Sequence, residues 1–394
     1  MLLATQYQQR STSMSITPNA ALQILEALGG RPSTSFHEGL VADYVLESLA
    51  EIGVEFRRDT YGNIIARIPG MTDGVPPIAF VAHMDHPGFE AIELRGDTLV
   101  AEARGGVPQA SFTEPIPVEV VDASGKRLKG HLAGTDGPVE ERRVLITIKE
   151  AASISLPASV VFDLPDFLLN PARPELVEEE TGNLIHMRAA DDLAGCAAIL
   201  AALHDLTDNP ALGDVYGVFT RAEEVGLIGA RIMAQEHSLP LDCLVVSLES
   251  SRELPGAMIG SGPVIRVGDV TFTFSAEAEQ VLHVARQTLV AENPEYKVQR
   301  QLMSGGTCEA SAFAACGYHT TGIAFPLGNY HNATPEGGVD AEYIHAEDFL
   351  GGVKLIIQSA RSVAVRRTSP AWKRLQTVPA ELQQRLIASA SARP

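Results

Sequence analysis

Apolar residues recur at helical spacing from Pro18 to Gly30 and again from Ser35 to Ile52, where Leu40, Tyr44, Val45 and Leu49 share one face. The Gly30-Arg31-Pro32-Ser33 break, with Ser35 as the second cap, predicts a helix pair. Val54 to Arg58 and Asn63 to Arg67 read as two short strands joined at Tyr61-Gly62. The unbroken apolar run from Pro77 to Ala82 has the pattern of a strand buried on both faces. It ends in His83-Met84-Asp85. Residues two apart on a strand point the same way, so His83 and Asp85 can reach one site.

Between Glu90 and Gly182 the pattern changes to short alternating segments, such as Thr98 to Ala101, Ile116 to Val121 and Val144 to Ile148, separated by Gly, Asp and Pro turns. With a hairpin signal at Asp122 to Lys126, this predicts a small β-barrel or β-sandwich over residues 91–181, inserted into an α/β chain. Pro171 to Glu180 reads as its returning linker. Beyond it the same phrase recurs: strand, acidic end, helix. Leu184 to Met187 leads to Asp191-Asp192, Tyr216 to Thr220 to Glu223-Glu224, and Cys243 to Leu248 to Glu249. Helices are expected at Ala278 to Ala291, from Gly305-Gly306-Thr307 through Cys316, and at Ala346 to Val363, with a strand at Thr320 to Phe325. The alternation predicts a three-layer α/β/α sandwich formed by residues 16–90 and 182–365. Residues 366–394 are a tail with a short helix near Glu381 to Ile387. Residues 1–15 read as a leader outside the fold, with Met14 an alternative start.

Composition narrows the function. In 394 residues a formal net charge of −19 opposes binding to a phosphate backbone, so nucleic acid is not an expected partner. No window approaches the ~20 apolar residues that cross a bilayer, and no membrane partner is expected. Cys196, Cys243, Cys308 and Cys316 form no Cys-x-x-Cys pair, the usage of a cytoplasmic protein with reduced thiols.

Chemistry collects at the strand ends. His83, Asp85, Asp191, Glu223, Glu224, Glu249 and His331 each have an ordinary reading, as a structural histidine or a helix-capping acid. Together they suit two borderline cations such as Zn, Co or Mn. One bridging carboxylate would let such ions approach to about 3.5–4 Å and share an activated water. Spacing alone leaves open which of Glu223 and Glu224 ligates and which moves protons.

The His-Met-Asp motif followed by Gly88-Phe89, the turn Ala190-Asp191-Asp192-Leu193-Ala194-Gly195-Cys196, Glu223-Glu224-Val225-Gly226-Leu227-Ile228-Gly229-Ala230, the Gly305-Gly306-Thr307 segment and the late His331 resemble the glutamyl and deblocking aminopeptidases. That family includes the tetrahedral aminopeptidases, within the clan of co-catalytic dizinc peptidases. The resemblance runs from about Ile24 to Ile357 and includes the place of the inserted β-domain. It implies two divalent ions per chain, Zn foremost with Co or Mn as alternatives. His83, Asp191 and Glu249 would hold one ion, and Asp191, Glu224 and His331 the other. Glu223 would be the general base, Asp85 the carboxylate that orients His83, and Asp191-Asp192 a cis peptide. Gly305, Gly306, Thr307 and Asn329 would line the substrate pocket. Three positions depart from the family pattern: Glu249 stands where Asp is usual, the late motif lacks Arg-Tyr before its His, and Cys308-Glu309 replaces an expected Asp.

The expected activity is an aminopeptidase acting on short peptides, as a homo-oligomer to whose interface the β-domain contributes. The alternatives are a deacylase or carboxypeptidase-like amidohydrolase, for which Arg188 or Arg252 would bind a carboxylate, and a metal-bound assembly protein without turnover. His86, His319 and His345 read as loop or packing residues.

Overall fold

The computed structural model describes residues 16–169 and 183–390. The expected leader and the linker at 171–180 therefore lie outside the described residues. Helices α1 (Pro18–Gly29) and α2 (Gly39–Glu51) lead into strands β1 (Glu55–Arg58), β2 (Ile64–Ile68) and β3 (Ile78–His83). Helix α1 starts with Pro18 and a Thr17 cap whose hydroxyl accepts from the Ala20 amide. Ser35 does not cap α2 as expected. Its hydroxyl donates to the Asp85 carboxylate at 2.6 Å, and the helix begins four residues later.

Six strands follow: β4 (Gly88–Arg95), β5 (Thr98–Arg104), β6 (Pro117–Val121), β7 (Arg127–Thr135), β8 (Arg143–Ile148) and β9 (Ala158–Phe162). They close into an antiparallel barrel in the order β4-β5-β8-β7-β6-β9, so of the two expected β architectures the barrel is the one formed. Alternate residues fill it, among them Phe89, Leu99, Val120, Ile146, Val160 and Phe162. The turn at Asp122 to Lys126 forms as expected, with the Asp122 carboxylate accepting from the Ser124 and Lys126 amides.

The chain then runs through β10 (Leu168–Leu169), β11 (Leu184–Met187), α3 (Ala190–Asp208), β12 (Val215–Thr220), α4 (Ile228–Gln235), β13 (Leu244–Arg252), β14 (Val264–Arg266), α5 (Ala276–Glu292) and β15 (Gln299–Gln301). It continues as α6 (Glu309–Ala315), β16 (His319–Leu327), β17 (Glu342–His345) and α7 (Ala346–Ser362), with α8 (Pro370–Gln376) and α9 (Ala380–Ala390) in the tail. The main sheet has the order β1-β2-β12-β3-β13-β16-β14-β15. Its centre, β12-β3-β13-β16, is parallel. Strand β3 makes the layering explicit: Ile78, Phe80 and Ala82 enter one core with α1, α2, α3, α5 and α7, while Ala79 and Val81 enter another with α4 and α6. Both faces of the sheet are covered, as a parallel sheet requires. This is the three-layer α/β/α sandwich. The carboxyl ends of the four central strands converge on one edge, the place where open α/β sheets carry ligands.

Candidate metal centre

In-register pairing of β12 with β3 sets Thr220 opposite His83, so the turn after Thr220 delivers Glu223 and Glu224 beside the histidine. That turn is held from below. Ala222 has φ 55°, a left-handed backbone. The fully buried Glu38 accepts from its amide at 3.0 Å and pairs with Arg221 at 2.7 Å. The Asp85 carboxylate accepts from the amides of Glu223 and Glu224 at 2.9 and 3.2 Å, and from Ser35. Asp85 thus positions the glutamate pair. His83 is oriented instead by the Asp85 peptide carbonyl, to which its Nδ1–H donates at 3.0 Å, with the carboxylate at 3.7 Å.

Glu249 enters from β13. It was expected at the strand end, but β13 runs three residues further, paired with β16 throughout, and Glu249 faces the site from within it. Asp191 opens α3 beside the predicted cis bond to Asp192. His331 sits in a turn where it, Asn329 and Asn332 all have positive φ. Such backbones cost of order 1–3 kcal/mol each and persist where surroundings over-determine them. Here Asn329 donates to the Ala341 carbonyl, Asn332 to that of Arg188, and the Glu342 carboxylate accepts from the His331 amide at 2.8 Å. The other oxygen of Glu342 accepts from the amides of Ala190 and Asp191, so one buried side chain clamps two chemical loops. Glu342 has no counterpart in the sequence reading.

Two groups converge with atoms within 4.8 Å of one another: His83, Glu223 and Glu249, and His83, Asp191 and Glu224. His331 Nε2 extends the second group, 3.4 Å from Glu224 and 3.7 Å from Asp191. Both imidazoles donate Nδ1–H to a carbonyl, Asp85 for His83 and Gly106 for His331, which turns each Nε2 lone pair towards carboxylates. A lone pair facing carboxylate oxygens is repulsive unless a proton or a cation lies between them. Among buried polar atoms lacking a hydrogen-bond partner are Asp191 Oδ1, Glu224 Oε1 and Glu249 Oε1. Burial with neighbouring acids drives Glu249 up to about 8, and holds Glu223 and Glu224 well above the ordinary carboxylate range. Burial pushes His331 down to about 4, a neutral imidazole able to ligate. So many acids in a dry site need compensating positive charge, and these residues fit divalent cations.

The site opens into a cavity of about 670 Å³ that Gly305, Gly306, Thr307 and Tyr330 also line. Asn329, whose amide is tied to Ala341, is not among the lining residues. Helix α6 starts after these glycines, at Glu309, which leaves them in a turn over the cavity. Arg188 is drawn away to Asp166 at 2.6 Å, whereas Arg252 lies 5.2 Å above the Tyr330 ring on the cavity wall. Reading the sequence missed Arg266. It is 3% exposed, with contacts to Ser251 Oγ at 3.3 Å and the Gly306 carbonyl at 3.5 Å, and its Nε has no partner. Of the three histidines read as loop or packing residues, His86 bridges Asp191 and Asn332, His319 meets Ser275, and His345 caps α7.

Residues 169–355 match the family described as M42 glutamyl aminopeptidase. A glutamyl aminopeptidase of Lactococcus lactis subsp. cremoris is 24% identical over 352 residues, spanning 85% of this chain and 92% of its own. A solved dodecamer, PhTET1-12s, superposes with a TM-score of 0.70 at 25% identity, over 86% of this chain and 98% of its own. An aminopeptidase from the archaeon Desulfurococcus kamchatkensis shares the fold, with a TM-score of 0.70 at 23% identity over 92% and 99% of the two chains.

Proposed function

We propose that this chain, similar to the glutamyl aminopeptidases, is a metal-dependent aminopeptidase that removes acidic residues from the amino terminus of short peptides, using two divalent ions. The observation that carries the reading is the set of unpartnered buried oxygens on Asp191, Glu224 and Glu249, facing two imidazoles already oriented through Nδ1. His83, Asp191 and Glu249 would hold one ion, and Asp191, Glu224 and His331 the other, with Zn the ion best suited to this mixed donor set and Co or Mn as substitutes. Ions held there would supply Lewis acidity to the scissile carbonyl and to a bound water, lowering the water's pKa towards neutrality.

The chain's own residues do the rest. Glu223 takes the proton from the attacking water and delivers it to the leaving amine as the C–N bond breaks. Asp85, through the two amides it accepts from, keeps Glu223 and Glu224 turned to their separate tasks. Arg266 receives the carboxylate of the first side chain. The buried Arg266 Nε has no hydrogen-bond partner, and an anionic group bound beside it would supply one. The dodecameric relative supports a homo-oligomer, and among the described residues no helix is long and apolar enough to cross a membrane. The four cysteines are all free, in keeping with a cytoplasmic setting.

The test is metal analysis of freshly purified protein, coupled to hydrolysis of glutamyl, aspartyl, alanyl and lysyl dipeptides and their N-acylated forms, with and without chelator. Two ions per chain and chelator-sensitive cleavage of free-amino acidic peptides are expected. Cleavage of acylated substrates alone would replace this reading with a deacylase, and no cleavage with added Zn, Co or Mn would replace it with an assembly protein. In the same assay Arg266→Met lowers kcat/KM for glutamyl peptides about 10- to 100-fold, the worth of a charged hydrogen bond, and alters alanyl peptides far less. Equal losses on both would remove Arg266 from the specificity pocket.

A further inference from the structure

We infer that the Gly105-Gly106 turn, where barrel strand β5 leaves the barrel, is a positioning element of the active site that sets His331, and with it the second cation position. The inference rests on the reading above of His331 as a ligand. The turn touches both residues assigned to that position alone. A Cβ on Gly105 would lie 3.0 Å from Glu224 Cβ, and one on Gly106 would lie 2.5 Å from His331 Nδ1. The Gly106 carbonyl is the acceptor for His331 Nδ1–H at 3.3 Å, across 225 residues of chain. Gly105 is fixed in turn by the barrel: its φ of 77° needs glycine, and the Arg142 guanidinium, from the segment before β8, donates to its carbonyl.

The two histidines are therefore oriented by different bodies. His83 takes its orienting carbonyl from Asp85, two residues further along its own segment and within the sandwich. His331 takes its carbonyl from the barrel, so its Nε2 points at Asp191 and Glu224 only when the barrel is seated. Outer partners of this kind are typically worth 10–100-fold in metal affinity.

Gly106 isolates the effect. Its backbone does not need glycine, and the three atoms nearest its virtual Cβ all belong to the His331 ring. The experiment is a Co²⁺ titration of the chelator-stripped full chain, followed by visible absorption and by calorimetry, for wild type, Gly106→Ala, His331→Ala and the double variant. Wild type should take two ions. Gly106→Ala should keep one at wild-type affinity and bind the other at least 10-fold more weakly, with the thermal midpoint of the stripped protein unchanged. In the His331→Ala background the glycine change should add nothing. If His331→Ala loses one ion while Gly106→Ala titrates as wild type, the positioning role is overturned. If His331→Ala keeps both ions at wild-type affinity, the ligand assignment itself fails.

Discussion

Glu223→Gln should reduce turnover by about 10²- to 10⁴-fold, the usual contribution of a positioned general base, while leaving two ions bound per chain. The amide keeps the size of the carboxylate and its backbone contact, in which the Glu223 amide donates to Asp85 Oδ1 at 2.9 Å. What it removes is the ability to accept a proton. The prediction is demanding because Glu223 also lies within 4.8 Å of the ligand atoms of His83 and Glu249. A ligand at that place would lose metal on substitution. Metal content measured beside single-turnover rates separates the roles: activity lost with both ions retained identifies a base, and activity and one ion lost together would make Glu223 a ligand.

Asp191→Asn should weaken cation binding at both positions by more than ~100-fold, beyond the effect of losing an outer partner, and abolish hydrolysis at ordinary metal concentrations. Asp191 Oδ1 faces His83 Nε2 at 3.4 Å and Oδ2 faces His331 Nε2 at 3.7 Å, so one carboxylate serves both histidines. An amide would present a hydrogen to one of them and could not share negative charge between two ions. Its backbone anchor, the Glu342 carboxylate accepting from its amide at 3.0 Å, is untouched, so the protein should remain folded. Two fully occupied, normally spaced ions in this variant would contradict a bridging role.

How much of this was legible in the sequence follows from what each residue answers to. The proposed ligands sit where a buried apolar run stops at an acid or an imidazole, and β3, β12 and β13 are continuous enough for that stop to be visible. The sandwich and the inserted barrel follow from the same change of period. The residues that support the site answer to partners far along the chain. Glu342 lies on a four-residue strand and meets Asp191 about 150 positions away; nothing in Asp340-Ala341-Glu342-Tyr343 marks it. Arg266 ends a three-residue strand too short for alternation to register. Ser35 has the sequence place of a helix cap, because a cap needs only local sequence, while its actual partner is Asp85. Gly105-Gly106 looks like any turn. That the turn approaches two site residues depends on how the barrel is seated on the sandwich.

The passage of β13 through the site has a bearing on how this chain can vary in length. Glu249 is the sixth of nine consecutive residues in register with β16, from Leu244 opposite His319 to Arg252 opposite Leu327. Its arrival at the proposed metal centre is therefore an address, counted in residues from the strand's first pair. If one residue were deleted between Leu244 and Leu248 with that first pair kept, Ser250 would stand where the carboxylate had been, and every later side chain would change face. For this strand a deletion is equivalent to exchanging a ligand. The segments before and after it carry no such count, but the stretch from Leu244 to Glu249 has only one workable length.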